Sequence, residues 1–150
     1  MQSPISTFDA PQLQSTATPS KGSRYARITA RSLLGFTFCF AGSNGIFQFL
    51  PQRADGMPHA ALELATAFAH SGYMMPFLGA AQALAGVLLL VNRCVPLGLV
   101  ILAPIVLNIV AFHLFLAPQG LVVAGVVLAL ELYLAYANRK AFTSLFTKSA

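Results

Sequence analysis

The chain has 150 residues, of which 57% are hydrophobic and only 9% are charged, and its mean hydropathy is +0.72. A water-soluble domain carries about 25% charged residues, so this composition excludes an ordinary soluble fold and predicts that the lipid bilayer is the main partner. The net charge of +5 does not indicate a nucleic-acid partner, because the basic residues are spread along the chain and do not cluster in one patch.

The N-terminal stretch 1–26 differs in composition from the rest of the chain. It is rich in Ser, Thr, Pro and Gln and has no apolar run, whereas a cleavable signal peptide needs an apolar segment of about 7–15 residues. We therefore expect 1–26 to be a disordered cytoplasmic tail and 27–146 to be a membrane domain.

Four apolar stretches in that domain are long enough to cross a bilayer as helices, which takes about 20 residues each. They are 31–50, 73–91, 96–117 and 120–137. An even number of spans puts both termini on one side, together with eight of the nine Lys and Arg residues, and leaves Arg53 alone on the other side. The positive-inside rule then predicts that both termini are cytoplasmic.

The segment between the first two stretches contains a short amphipathic pattern at 58–70. Its polar residues His59, Glu63, Thr66 and His70 are spaced so that they share one stripe of a helix. We expect this helix to lie at the outer interface or over the mouth of the bundle. The predicted fold is therefore all-α: an integral membrane four-helix bundle with a short amphipathic interfacial helix between spans one and two.

Small residues recur at helical spacing within the spans and predict where the helices approach closely, because small side chains favour helix packing in lipid. They are Gly79, Ala83 and Gly86 on the second span, Ala41 and Gly45 on the first, and Gly120 with Ala124 on the fourth.

Six of the polar residues within the spans form the candidate ligand-binding set: Asn44, Gln48, Gln82, Asn108, His113 and Glu131. Counting residues from the span ends places Asn44, Gln82, Asn108 and Glu131 in nearly one layer, with Gln48 and His113 in a shallower one. One interpretation is structural, with hydrogen bonds between helices worth about 0.6 kcal/mol each. The other is a polar pocket for a small ligand, a quinone head group or a proton path, since ionisable groups in a membrane are costly and often functional.

Two of these residues also have local explanations. Asn108 stands one turn after Pro104 and could satisfy backbone groups that the proline leaves free. His113 is predicted to be an imidazole hydrogen-bonded to a carbonyl. Its alternative role, as a metal or haem ligand with His59, Glu63 and His70, lacks a strict spacing motif, and we assign no metal site.

The sequence contains no motif for a familiar reaction. A phosphate-binding glycine loop, a GxSxG elbow, CxxC and HExxH are all absent. Cys39 and Cys94 are predicted to differ in depth by about 12 Å, too far for a disulfide, so we expect two free thiols. The catalytic residues, if any exist, stay unknown at this point.

A series of soft motifs occurs in a specific order between 71 and 118. It comprises Gly72-Tyr73, the small-residue helix ending at Gly86 and Leu88–Leu90, Arg93 with Pro96, then Pro104, Asn108 and Phe112-His113. This order resembles the DoxX-like family of small four-span membrane proteins, and the likeness extends to 33–51 and 132–142. The chain departs from the family pattern at Gln82, where many members have a carboxylate, and at Gly45, where many have a Lys.

The resemblance implies a bacterial or archaeal inner-membrane bundle and makes quinone the candidate cofactor, since some relatives are named as subunits of quinone-linked oxidoreductases. Three functions follow as hypotheses. The first is a non-enzymatic accessory or small-ligand-binding subunit linked to redox metabolism, with a redox-complex protein or a second copy of the chain as partner. The second is a quinone-reactive oxidoreductase subunit that uses Asn108, His113 and Glu131. The third is a small-molecule or proton transporter.

Overall fold

A computed structural model describes residues 21–50 and 56–142, and the regular elements in these two ranges are all helical. The helices are α1 (Lys21–Phe47), α2 (His59–His70), α3 (Met74–Leu90), α4 (Val95–Phe115) and α5 (Leu121–Ala137), with a 3₁₀ turn at Pro118–Gly120. The predicted all-α class is confirmed.

The predicted N-terminal tail extends across the boundary of the described residues. Residues 1–20 lie outside them, whereas 21–26 already belong to α1. The last proline of the tail is Pro19, and no proline after it interrupts the helix, which begins before the apolar run does.

Two helical segments are long and apolar enough to cross a membrane: Val95–Phe115 and Pro118–Ala137. A third is reached if α2 and α3 count as one span with a 91° bend, since α3 alone has 17 residues. The described helices thus provide two or three candidate spans. The first span predicted from the sequence, 31–50, which overlaps α1, stays a prediction. Large apolar side chains cover the outer surface, with Phe115 78% and Val122 79% exposed, which suits lipid better than water.

Glycines allow α1 and α3 to pack closely between Gly35 and Gly45 of α1. A methyl group on Gly86 would lie 2.5 Å from the backbone nitrogen of Cys39 and 2.7 Å from the carbonyl oxygen of Gly35, and one on Gly79 would lie 2.7 Å from the carbonyl oxygen of Gly42. The predicted small face of α3 is therefore confirmed.

The prediction for α1 was half wrong. Gly45 does approach Gly79, but Ala41 is exposed, because the 3.6-residue period of the helix puts Gly35 and Gly42 on the face towards α3.

The remaining helices complete one core. Helix α4 packs between α3 and α5, and α1 also contacts α5. The largest fully buried side chains are Leu34, Leu89, Leu102, Val106 and Leu134, which come from α1, α3, α4 and α5. The short connections between α3, α4 and α5 make these helices antiparallel neighbours, as the sequence predicts.

Helix α2 runs nearly perpendicular to α3. The chain turns at Gly72, whose φ of +76° favours glycine, and the Ser71 hydroxyl both donates to the Phe68 carbonyl (2.6 Å) and accepts from the Met74 N–H (3.1 Å). The predicted amphipathic helix is confirmed: Ala61 is fully buried, and the residues of the polar stripe are exposed.

Candidate functional site

A cleft between α3 and α4, closed on one side by α2, brings together two of the six candidate residues. We call it the amide cleft. It has a volume of about 240 Å³ and is lined by Phe68, Met74, Leu78, Gln82, Pro104, Ile105, Asn108 and Ile109. Gln82 is half-buried and Asn108 is exposed, so the cleft opens on the outer surface of the bundle.

Neither Gln82 nor Asn108 makes a side-chain hydrogen bond to any residue within 21–50 and 56–142. The expectation that Asn108 satisfies backbone groups freed by Pro104 is therefore wrong. Both amides face a wall that is otherwise apolar, and Asn108 also lines a neighbouring groove with Leu64 and Phe115. A molecule in the amide cleft would meet two amide groups, each with donors and an acceptor.

His113 stabilises the turn between α4 and α5. Its Nδ1 lies 3.0 Å from the carbonyl oxygen of Ala117, and since a carbonyl only accepts, Nδ1 donates. The imidazole ring lies against Gly120, where a methyl group would overlap it. The predicted carbonyl-bonded imidazole is confirmed, and Gly120 is a close-packing residue, as expected.

The alternative metal site is not assembled. His59 and Glu63 form an exposed pair on α2 with Nδ1 and Oε1 3.4 Å apart. Among the residues that the structure describes, no three His, Cys, Asp or Glu side chains are grouped so that they could hold a metal ion. His70 and His113 therefore do not join that pair. Cys39 and Cys94 are free thiols, as predicted.

Asn44 lies in the last turn of α1 and Gln48 directly follows the helix. Neither residue lines the amide cleft. The Asn44 side-chain oxygen accepts the Leu50 N–H at 2.9 Å, and the Gln48 N–H donates to the Asn44 carbonyl at 2.8 Å. Gln48 is exposed, with a φ of +49°. The Asn44 amide is thus used locally, in the way that short polar side chains often cap chain reversals.

Glu131 lies in a separate cleft between α4 and α5. Its side chain is 5% exposed, and its Oε1 has no hydrogen-bond partner among the described residues. The cleft has a volume of about 280 Å³ and an apolar lining that includes Leu99, Leu107 and Leu128. Because Asn108 and Glu131 line different clefts, these two residues do not share one pocket, and the predicted common depth stays a prediction.

A third cleft, which we call the arginine cleft, contains arginines that the sequence analysis used only to orient the chain in the membrane. It has a volume of about 340 Å³, and its polar lining is Arg24, Arg27, Arg31, Asn92 and Asn138. The signal was present in the sequence, since spacings of three and four residues put three cations on one helix face. It was missed because Arg24 was assigned to the tail.

Comparisons of the chain with models of known protein families, with curated proteins and with solved structures find no match. The residues and clefts described above are therefore the basis for assigning a function.

Proposed function

We propose that this chain is a DoxX-like, multi-pass membrane protein that binds the head group of a small lipid-soluble molecule in the amide cleft. Its role would be that of a non-enzymatic accessory or ligand-binding subunit linked to quinone metabolism. One observation carries the proposal: Gln82 and Asn108, from two adjacent helices, line an apolar cleft without hydrogen-bond partners in the described chain.

The absence of partners favours a ligand over a purely structural role. A structural amide would bond to the facing helix and gain about 0.6 kcal/mol, whereas an amide left unbonded in an apolar medium costs several kcal/mol. A ligand with carbonyl oxygens, such as a quinone, would accept a hydrogen bond from each of the two amide NH₂ groups.

The size of the cleft limits what it can hold. Sites that enclose a drug-sized ligand measure about 300–1,000 Å³, and the amide cleft measures about 240 Å³. We therefore infer that it takes only a head group, while the apolar tail lies along the outer surface. The adjoining groove at Leu64 and Phe115 offers an apolar path for that tail.

The proposed topology has four spans and both termini in the cytoplasm of a bacterial or archaeal cell, in the inner membrane. Helix α1 supports it, because its contacts with α3 run from Gly35 against Gly86 to Gly45 against Gly79, so the two helices lie side by side and antiparallel, as consecutive spans would. The cations of α1 lie in its first turns, before the apolar part begins, and would remain at the cytoplasmic surface.

The quinone-reactive alternative needs Asn108, His113 and Glu131 around one head group. Glu131 lines a different cleft, and the Nδ1 of His113 is already used by Ala117. Binding without a reaction by this chain is therefore the function that the geometry favours, with a redox partner protein supplying any chemistry.

The test is the binding of a short-tailed benzoquinone analogue to the detergent-purified chain, measured by native mass spectrometry. Loss of one hydrogen bond is worth about 0.5–1.5 kcal/mol, so Gln82→Leu and Asn108→Leu should each weaken binding about two- to tenfold. Gln119→Leu is the matched control, since Gln119 is an exposed amide that does not line the cleft. No affinity in the native chain, or an equal loss in the control, would contradict the proposal. Turnover of the quinone by the chain alone would favour the quinone-reactive alternative instead.

A further inference from the structure

The arginine cleft lies where α1 begins, α4 begins and α5 ends. Arg24, Arg27 and Arg31 face it from α1, and the amides of Asn92 and Asn138 complete its polar lining. Val95 and Leu134, both buried, contribute apolar surface to it.

The cations in this cleft lack a counter-charge in the described chain. Described acidic residues are Glu63, which pairs with His59 on α2, and Glu131, which lines another cleft. The Nε of Arg31 is buried and has no hydrogen-bond partner among residues 21–50 and 56–142. A buried donor without a partner is costly, and three guanidinium groups around one cavity repel one another unless an anion lies between them.

The ends of the helices carry partial charges of both signs at the cleft, since Asn92 lies just beyond the C-terminus of α3. The first turn of α4, at Val95, lies at the cleft, and a helix N-terminus carries partial positive charge. The C-terminus of α5 would oppose this, but the Leu134 carbonyl already accepts from the Asn138 backbone N–H (3.0 Å) and from its Nδ2 (2.7 Å). The positive potential of the cleft therefore comes from its three guanidinium groups, and these suit it to an anion.

We propose that the arginine cleft binds a phosphate-bearing anionic group, held by the guanidinium groups of Arg24, Arg27 and Arg31. Arginine matches phosphate with paired N–H donors, and basic pockets between membrane helices on the cytoplasmic side are suited to lipid head groups. The same chemistry would accept free phosphate, so the two sources are separated by the experiment. No residue lines both this cleft and the amide cleft, so the site does not depend on the proposed quinone ligand.

The experiment compares arginine with lysine at constant charge. Purified protein is incubated with phosphatidylglycerol, with phosphatidylcholine of the same chains, or with inorganic phosphate, and bound molecules are counted by native mass spectrometry. We expect Arg31→Lys to weaken phosphatidylglycerol binding about tenfold, since it removes the paired donors and keeps the charge. Arg139→Lys is the matched control, because the Arg139 guanidinium lies 4.3 Å from the centre of the Tyr136 ring and donates to the Tyr136 carbonyl.

Each outcome decides the proposal. Selective loss with Arg31→Lys supports it, and the arm in which the loss occurs identifies the source as lipid or free phosphate. Equal effects of Arg31→Lys and Arg139→Lys would overturn it, and so would equal binding of the anionic and zwitterionic lipids together with no binding of inorganic phosphate. If Arg31→Lys alters the helical circular dichroism, the exposed Arg24 supplies a second variant, Arg24→Lys, with the same expectation.

Discussion

Gly42 tests how α1 and α3 are held together. A methyl group on Gly42 would lie 2.5 Å from the carbonyl oxygen of Gly79 and 2.9 Å from the Cα of Ala83. Carbon atoms in favourable contact are about 3.5–4.0 Å apart. Both obstructing atoms belong to the backbone and cannot rotate away, so the Gly42→Ala substitution would push the two helices apart by roughly 1 Å.

The expected energy follows from two opposing effects. Overpacking costs about 1–3 kcal/mol, and alanine is favoured over glycine inside a helix by about 1 kcal/mol. We therefore expect Gly42→Ala to lower the free energy of unfolding by up to about 2 kcal/mol. Gly125→Ala is the matched control on α5, where a methyl group would meet nothing within 4 Å, so we expect a gain of up to about 1 kcal/mol.

The assay is reversible unfolding in mixed micelles, followed by far-ultraviolet circular dichroism. The two variants make the same chemical change in helix interiors, so the difference between them isolates the contact between α1 and α3. Equal stabilities of Gly42→Ala and Gly125→Ala would refute the close approach at this glycine.

Three further predictions concern single positions. Gly120→Ala should lower the free energy of unfolding by about 1–3 kcal/mol, because its methyl group overlaps the His113 ring, and adding His113→Ala to it should recover part of the loss in the same unfolding assay. Glu131→Leu should raise the free energy of unfolding by up to about 3 kcal/mol, since it replaces a buried carboxyl whose Oε1 lacks a partner in the described chain. A destabilised variant would indicate a partner for that oxygen. Cys94 is exposed in the turn between α3 and α4, so a membrane-impermeant maleimide should label it in inverted inner-membrane vesicles and not in right-side-out spheroplasts, and the opposite pattern would contradict the proposed topology.

The local features of this fold could be predicted from the sequence, because spacing along a helix determines which side chains share a face. The polar stripe of α2 and the small face of α3 at Gly79 and Gly86 both follow from a period of 3.6 residues. The carbonyl bond of His113 follows from the need of a polar group in an apolar segment for a nearby acceptor. None of these depends on how the helices are arranged around one another.

The grouping of the polar residues could not be predicted, because a count of residues gives depth in the membrane and not direction around the bundle. Asn108 and Glu131 were placed at similar depth, yet they line clefts on different parts of α4. Asn44 is placed in the same layer by residue count, but its side-chain oxygen accepts the Leu50 N–H just beyond the end of its own helix. Such local bonds compete with contacts between helices, and composition alone does not decide between them.

Helix α4 contributes to all three clefts, and its packing determines whether binding in one cleft alters the affinity of another. Val95 lines the arginine cleft, Leu99 the cleft of Glu131 and Pro104 the amide cleft. Between these clefts, Leu102 and Val106 of α4 are fully buried in the core. Close-packed interiors resist small displacements, so the core holds α4 in place. We therefore expect the clefts to bind independently: a saturating quinone analogue should leave the phosphatidylglycerol affinity unchanged in native mass spectrometry. A change of more than about tenfold, which corresponds to about 1.4 kcal/mol of coupling, would show instead that α4 moves as a unit between two positions.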